Sequence, residues 1–245
     1  MTNKKIVVIT GVGRKEGLGY ATAKQLVSDG FHVVITARNF EKADHLAKEL
    51  LQEGRHVTAL AMDVTSDESV IEAANALKNE FGKVDVLINN AAVMFYDPST
   101  TTTKDLASVS REFEANVTGV WRVSQHLIPL IKNSGHGKII NISSTMGSIN
   151  ASGWGLLEFQ RGPVPSYSLT KLALNGLTIK MARELKEDNI QVNALCPGFT
   201  ATYPGASEMG ARPVAESIKG IVWAVTLPDN GPTGKFFRDM EEVAW

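Results

Sequence analysis

A chain of 245 residues, 43% hydrophobic and 21% charged, has the length and balance of one large α/β domain with a sizeable core. Its net charge of -1 gives no electrostatic reason to expect nucleic acid or an anionic membrane as a partner. A single cysteine, Cys196, excludes an intramolecular disulfide framework and a clustered-cysteine metal site, and reads as a small buried hydrophobe beside Pro197.

The polar opening of the chain passes at once into a β-branched run over residues 5–10, which stops at Gly11 as a strand buried on both faces does. Such a start is not a signal peptide, and no apolar run is long enough to span a bilayer, so the cytoplasm is the expected compartment. Gly11, Gly13, Arg14, Lys15, Gly17, Leu18 and Gly19 follow, before a helical pattern over 20–29. A glycine-rich turn between strand and helix lets backbone N–H groups and the helix N-terminus approach a pyrophosphate without Cβ obstruction. A second strand over 32–36 ends at Ala37, Arg38 and Asn39. A site for a free ribose 2′-hydroxyl usually carries an acid here, whereas a 2′-phosphate calls for a guanidinium. Arg38 without an acid, with Arg14 and Lys15 on the same side, favours NADP(H) over NAD(H); the alternative is an Arg38 that merely faces water.

A helix over 40–53, closed by Gly54, leads to a third strand over 57–62 and then to Asp63 and Val64. Asp63 either accepts a hydrogen bond from an adenine amino group or begins the cap region of the next helix, 66–81. The fourth strand, 84–88, ends in Asn89, Asn90, Ala91 and Ala92, which leave room for a ligand against the backbone, although asparagines also end strands for local reasons. A Thr- and Ser-rich loop over 97–103 precedes a long helical stretch over 104–132, where Pro129 is a candidate bend or end. Asn116, in the middle of that stretch, needs solvent or a partner, because asparagine is a poor mid-helix residue.

A strand from Lys138 ends in two hydroxyls, Ser143 and Ser144. The glycine-rich stretch 145–165, with Met146, Trp154, Leu156, Leu157 and Phe159 fitting no period, reads equally as a substrate cover or a flap packed on the core. After a helix over 166–186 and a strand over 190–195, regular structure breaks at Cys196, Pro197, Gly198, Phe199, Thr200, Ala201 and Thr202, and 203–212 reads as mobile. A last helix from Pro213 to about Leu227, a turn over 228–232 and a short strand over 234–238 close the chain. Strands and helices alternate throughout. The pattern predicts a doubly wound, mostly parallel Rossmann-type sheet of about seven strands flanked by helices on both faces, with ligands at the carboxyl ends of the strands. One domain, 1–245, is expected, its cofactor part at about 1–135 and its catalytic and substrate part at about 136–245.

Within this frame Tyr167 and Lys171 stand four apart, on one face of their helix. An ammonium near the phenol stabilises phenolate, so the spacing predicts a tyrosine pKa lowered from its usual ~10. A tyrosine that gives a proton, a lysine that tunes it and a serine that holds an oxygen suit chemistry at a carbonyl or alcohol carbon. They supply no hydride, so a cofactor is required.

Taken together, these residues resemble the short-chain dehydrogenase/reductase family over essentially the whole chain. The resemblance rests on Thr10 and Gly11 with Gly17, Leu18 and Gly19, on Asp63, on Asn89, Asn90 and Ala91, on Asn116, Ser144, Tyr167 and Lys171, and on Pro197 and Gly198 with Thr202. The carboxyl-terminal part looks most like the carbonyl reductase branch. The resemblance implies that Tyr167 is the acid/base, that Lys171 binds the nicotinamide ribose and lowers the Tyr167 pKa, that Ser144 holds the substrate oxygen and that Asn116 helps hold a relay water. Ser143 is then structural. Two residues are added between Gly11 and Gly17 relative to the common family loop, Ala92 stands where glycine is usual, and the interval from Ser144 to Tyr167 is longer than in most members. A lengthened glycine loop is also similar to that of the enoyl-acyl carrier protein reductases, but those space tyrosine and lysine further apart, and position 174 here is Leu174. Monomer and homo-oligomer are both open.

The expected function is NADPH-dependent reduction of ketones or aldehydes, with a partly apolar cleft if Met94, Phe95, Met146, Trp154, Phe199 and Tyr203 line it rather than pack in the core. The competing readings are a catalytically silent NADP(H)-binding regulatory protein and an NAD-linked sugar or steroid dehydrogenase.

Overall fold

The computed structural model describes residues 4–51, 56–96, 99–157 and 164–245. Gly54 as a helix stop, Asp97 as the start of a loop and Phe159 within the irregular stretch lie outside them. Eight strands form one sheet in the order β3-β2-β1-β4-β5-β6-β7-β8. The strands are β1 (Ile6–Ile9), β2 (His32–Ala37), β3 (Val57–Ala61), β4 (Val86–Asn89), β5 (Lys138–Ile142), β6 (Gln191–Cys196), β7 (Phe236–Arg238) and β8 (Glu241–Glu242). All neighbours pair in parallel except β7 and β8. The helices are α1 (Leu18–Ser28), α2 (Phe40–Leu51), α3 (Asp67–Phe81), α4 (Leu106–Phe113), α5 (Gly119–Lys132), α6 (Pro165–Glu184) and α7 (Val214–Thr226).

Alternation along each strand sends neighbouring side chains to opposite faces, and both faces are covered. Val8, Val34, Leu87 and Ile139 meet Leu77 of α3, Leu127 of α5 and Leu174 of α6 in one apolar layer. Val7, Ile9, Ile35 and Ile140 meet Leu26 of α1, Leu46 of α2 and Ile221 of α7 in the other. The chain order reverses between β1 and β4, so a crevice opens at their carboxyl ends, the place where this architecture receives ligands.

Three local features differ from the sequence expectation. The stretch expected as one helix over 104–132 is two helices joined through a π-helical turn, Glu114–Thr118, that contains Asn116. Pro129 does not end α5, which runs on to Lys132. An eighth strand follows the seventh through Asp239 and Met240, both at positive φ (53° and 68°), as a tight antiparallel hairpin requires. Its register sets Phe237 opposite Glu242 and Arg238 opposite Glu241, and Lys235 pairs with Glu242 at 2.7 Å.

Candidate active site

Lys171 reaches across from α6 to the end of β5. Its ammonium donates to the Ile142 carbonyl at 2.7 Å and lies 5.4 Å from the centre of the Tyr167 ring. Gly147, in the 3-10 turn Thr145–Gly147 that follows β5, allows this close approach, because a Cβ there would stand 2.5 Å from the Lys171 backbone. The two serines after β5 are used differently. Buried Ser143 donates to Asn175 Oδ1 at 2.6 Å, whereas partly accessible Ser144, among the described residues, accepts only the Met146 N–H, at 3.2 Å, and keeps its own proton to give.

The expected lowering of the Tyr167 pKa is not what the protein shows. Part of the side chain remains accessible, yet burial of the phenol, with Cys196 and Glu112 adding to it, raises the pKa above the ordinary tyrosine value. The reason is geometric: the Lys171 ammonium sits over the ring and is tied to a carbonyl. Burial also pushes Lys171 down, to about 8.

Asn116 is wholly buried and finds its partners inside the protein. Its Oδ1 accepts the Val93 N–H at 2.8 Å, and its Nδ2 donates to the Val93 carbonyl at 2.8 Å and to Thr170 Oγ1 at 3.1 Å. One side chain thereby joins the segment after β4 to α6, beside Lys171. Both amide hydrogens are committed, which leaves one Oδ1 lone pair for any relay water.

At the crevice between β1 and β4, Thr10 and Asn90 stitch the strand ends together. Thr10 Oγ1 accepts the N–H groups of Asn90 and Ala91, each at 3.0 Å, and Asn90 Nδ2 donates to the Thr10 carbonyl at 2.8 Å. Gly11, at φ 72°, lies so near that a Cβ would stand 2.6 Å from Ala91 Cα. Gly13, Arg14, Lys15 and Glu16 stand exposed, and Gly17 caps α1 with no side chain, so the first amides of α1 have no side-chain acceptor. That bare helix start fits a pyrophosphate. Arg38 is exposed at the end of β2, while neighbouring Asn39 accepts the Lys42 N–H at 2.8 Å. Arg14 and Arg38 form no ion pair among the described residues, whereas Lys15 is matched by Glu49 at 2.7 Å. Of the cations expected to meet a 2′-phosphate, the two arginines are the ones left uncommitted.

Asp63 begins the cap region of α3, its carbonyl accepting the Ser66 N–H at 3.1 Å and its own N–H donating to Ser69 Oγ at 3.0 Å, but the capping side chain is another. Ser66 supplies it, accepting the Ser69 N–H at 3.2 Å, and Asp63 Oδ1 instead accepts the N–H and hydroxyl of Thr65 at 3.0 and 2.8 Å. Val64 is held by its carbonyl, which accepts from Arg122 at 2.7 Å. On the other flank, Arg212 donates to the Pro197 carbonyl, and the backbones of Phe199 and Ala201 pair with Arg212 at 2.9 and 3.0 Å. The stretch expected as mobile, 203–212, is thus closed at its base and turned through bonds such as Ala211 N–H to the Ala206 carbonyl at 3.0 Å. Thr200 pairs with Ser217 at 2.8 Å and with the Gly198 carbonyl at 3.0 Å, while Thr202 stays partly accessible. Of the stretch 145–165, the described part is tied to the chain end: Ser148 donates to the Ala244 carbonyl at 2.8 Å, and Ile149 N–H to that of Trp245 at 3.1 Å. Met94, Trp154, Phe199 and Tyr203 are exposed rather than core residues. Sequence reasoning missed Glu112 and Lys104, buried charged residues on the Asn116 side of the site; their only sequence signal is that Glu112 stands four before Asn116.

A doubly wound sheet with a crevice at the ends of β1 and β4, and Tyr167 and Lys171 of α6 beside the end of β5, is the setting of an oxidoreductase. Residues 5–209 match the short chain dehydrogenase family, and the chain belongs to it. The short-chain dehydrogenase anuI of Penicillium roqueforti is 34% identical over 230 residues, covering 91% of this chain and 89% of the relative. The NADPH-bound carbonyl reductase from chicken fatty liver superposes with a TM-score of 0.83 at 26% identity, covering 99% of both chains. A gluconate 5-dehydrogenase from Burkholderia cenocepacia, in complex with NADP and tartrate, gives a TM-score of 0.81 at 27% identity over 96% of this chain and 92% of its own. No helix among the described residues is long and apolar enough to cross a membrane.

Proposed function

We propose that the protein reduces ketones or aldehydes to alcohols with NADPH, Tyr167 serving as general acid. The observation that supports this most is the placement of Lys171, whose ammonium lies between the Tyr167 ring and the Ile142 carbonyl, two residues before Ser144. The bound cofactor supplies the hydride, which no side chain of the site can. Gly13, Gly17 and the first turn of α1 would hold its pyrophosphate, and Arg14 and Arg38 its 2′-phosphate.

Ser144 donates to the carbonyl oxygen of the substrate and holds it toward Tyr167. As negative charge gathers on that oxygen, Tyr167 transfers its phenolic proton. The raised phenol pKa keeps this acid protonated across neutral pH, which is the state that reduction needs. Lys171, with its pKa at about 8, is largely charged at pH 7 and would hold the nicotinamide ribose beside Tyr167. Asn116 holds Val93 and Thr170 in register around the reaction. The exposed Met94, Trp154, Phe199 and Tyr203 supply apolar contacts, so partly apolar carbonyl compounds are the expected substrates.

The test is the loss of NADPH absorbance, and separately of NADH absorbance, with a panel of ketones, aldehydes and quinones. Turnover with NADPH that disappears in Tyr167→Phe is the expected result. Tight NADPH binding without turnover of any carbonyl compound would overturn the reading and leave a silent nucleotide binder.

A further inference from the structure

The segment after β4 alternates in burial as a strand does, yet no strand among the described residues pairs with it. Ala91, Val93 and Phe95 are partly buried while Ala92, Met94 and Tyr96 are exposed, the period-two alternation of a strand. Side chains provide its main-chain partners instead. At Val93, Asn116 both accepts from the N–H and donates to the carbonyl, each at 2.8 Å. At Phe95 two residues share these roles, since Glu112 Oε1 accepts the N–H at 2.7 Å and Lys104 Nζ donates to the carbonyl at 3.0 Å. Glu112 and Asn116 stand four apart along α4 and its π-helical continuation, on one face, and they grip residues two apart on one side of the segment.

Glu112 is 0% exposed and Lys104 7%. A buried carboxylate is an expensive way to accept one N–H, since a glutamine would do it without a charge. The second oxygen, Oε2, has no hydrogen-bond partner. The charge is felt within the site, because Glu112 is one of the groups that raise the proton affinity of the Tyr167 phenol. The titratable groups acting there are Glu112 from α4, Cys196 from the end of β6, and Lys171 from the same helix as Tyr167.

We propose that Glu112 is a positioning residue of this centre: with Lys104 it clamps the two peptide groups that flank Phe95 and so fixes the register that turns Met94 and Tyr96 outward as the substrate-facing wall. The role in substrate binding rests on the carbonyl-reductase reading; the clamp itself does not.

Hydrogen exchange of the full-length protein separates the two. The Phe95 amide exchanges slowly in the wild type and in Glu112→Gln, which keeps an acceptor, and faster by roughly tenfold or more in Glu112→Ala, while the Val93 amide stays slow in all three. If Glu112→Ala does not fold, Lys104→Met reads the other half of the clamp, through faster exchange at Phe95. In turnover assays, Glu112→Ala raises KM for a bulky ketone severalfold at constant NADPH affinity. Glu112→Gln restores KM, yet moves the alkaline break of the pH profile to lower pH. Equal Phe95 exchange in all variants overturns the clamp whatever the enzyme reduces, and a clamp without a change in KM overturns the positioning role. A wild type that turns over no carbonyl compound counts against the reductase reading alone, and the exchange data still decide the clamp.

Discussion

The loops that follow β1 and β4 lie side by side at the carboxyl edge of the sheet and are built in opposite ways. Gly13, Arg14, Lys15 and Glu16 are exposed and leave the start of α1 without a side-chain cap. The segment 91–96 is fastened at Val93 and Phe95 by side chains from α4 and the π-helical turn. One loop leaves its polar groups for a ligand to satisfy, and the other has them satisfied in advance. On the proposed reading the glycine-loop side would gain order from the cofactor, whereas the reacting side is preorganised, as acid catalysis at a defined oxygen requires.

The preorganised side should suffer most from Tyr167→Phe, expected to lower kcat by about 10³-fold or more while NADPH affinity, read by fluorescence titration, holds. Gly147→Ala should follow, because its Cβ would stand 2.5 Å from the Lys171 backbone. Denaturant unfolding is expected to show a loss of about 1–3 kcal/mol, and turnover should fall with it. On the open side, Arg38→Asp should weaken NADPH by about tenfold or more and spare NADH; equal loss for both would remove Arg38 from the 2′-phosphate. Gly13→Ala isolates the contrast between the loops, since nothing lies within 4 Å of the added Cβ. Its unfolding midpoint should stay put, within about 0.5 kcal/mol, while NADPH affinity falls.

A separate effect is expected in stability against pH. Lys171 titrates at about 8 when folded and near ~10.4 when unfolded, so between those values the unfolded chain holds the extra proton and stability rises with pH. The slope is at most about 1.4 kcal/mol per pH unit. Tyr167 acts in the opposite sense: above ~10 the unfolded phenol ionises while the folded one does not, and stability falls. Urea midpoints from pH 7 to 11 should pass through a maximum, and Lys171→Met should lose the rising limb.

The alternation of β-branched runs and amphipathic helices made most of the fold legible, and glycine and asparagine at strand ends marked the crevice. What stayed hidden lacked a signal of that kind. β8 is two glutamates long and announces no apolar pattern. Asn116 was readable as a residue in need of a partner, but its partners, Val93 and Thr170, are 23 and 54 positions away. The direction of the Tyr167 shift depends on where the Lys171 ammonium points, which four-residue spacing does not determine. Glu112 and Lys104 went unnoticed, because burial of a charge leaves no trace in composition.

The last hairpin carries a consequence for behaviour in concentrated solution. A sheet normally ends in a row of unpaired backbone groups that can template the strand of another molecule. Here β7, whose Phe236 and Phe237 would make an adhesive rim, is covered by a strand only two residues long, both acidic and both exposed, beyond which little ladder remains to extend. The protein therefore closes that edge with charge and brevity, and replacing Glu241 and Glu242 by valine would be expected to turn a charged rim into a site of aggregation.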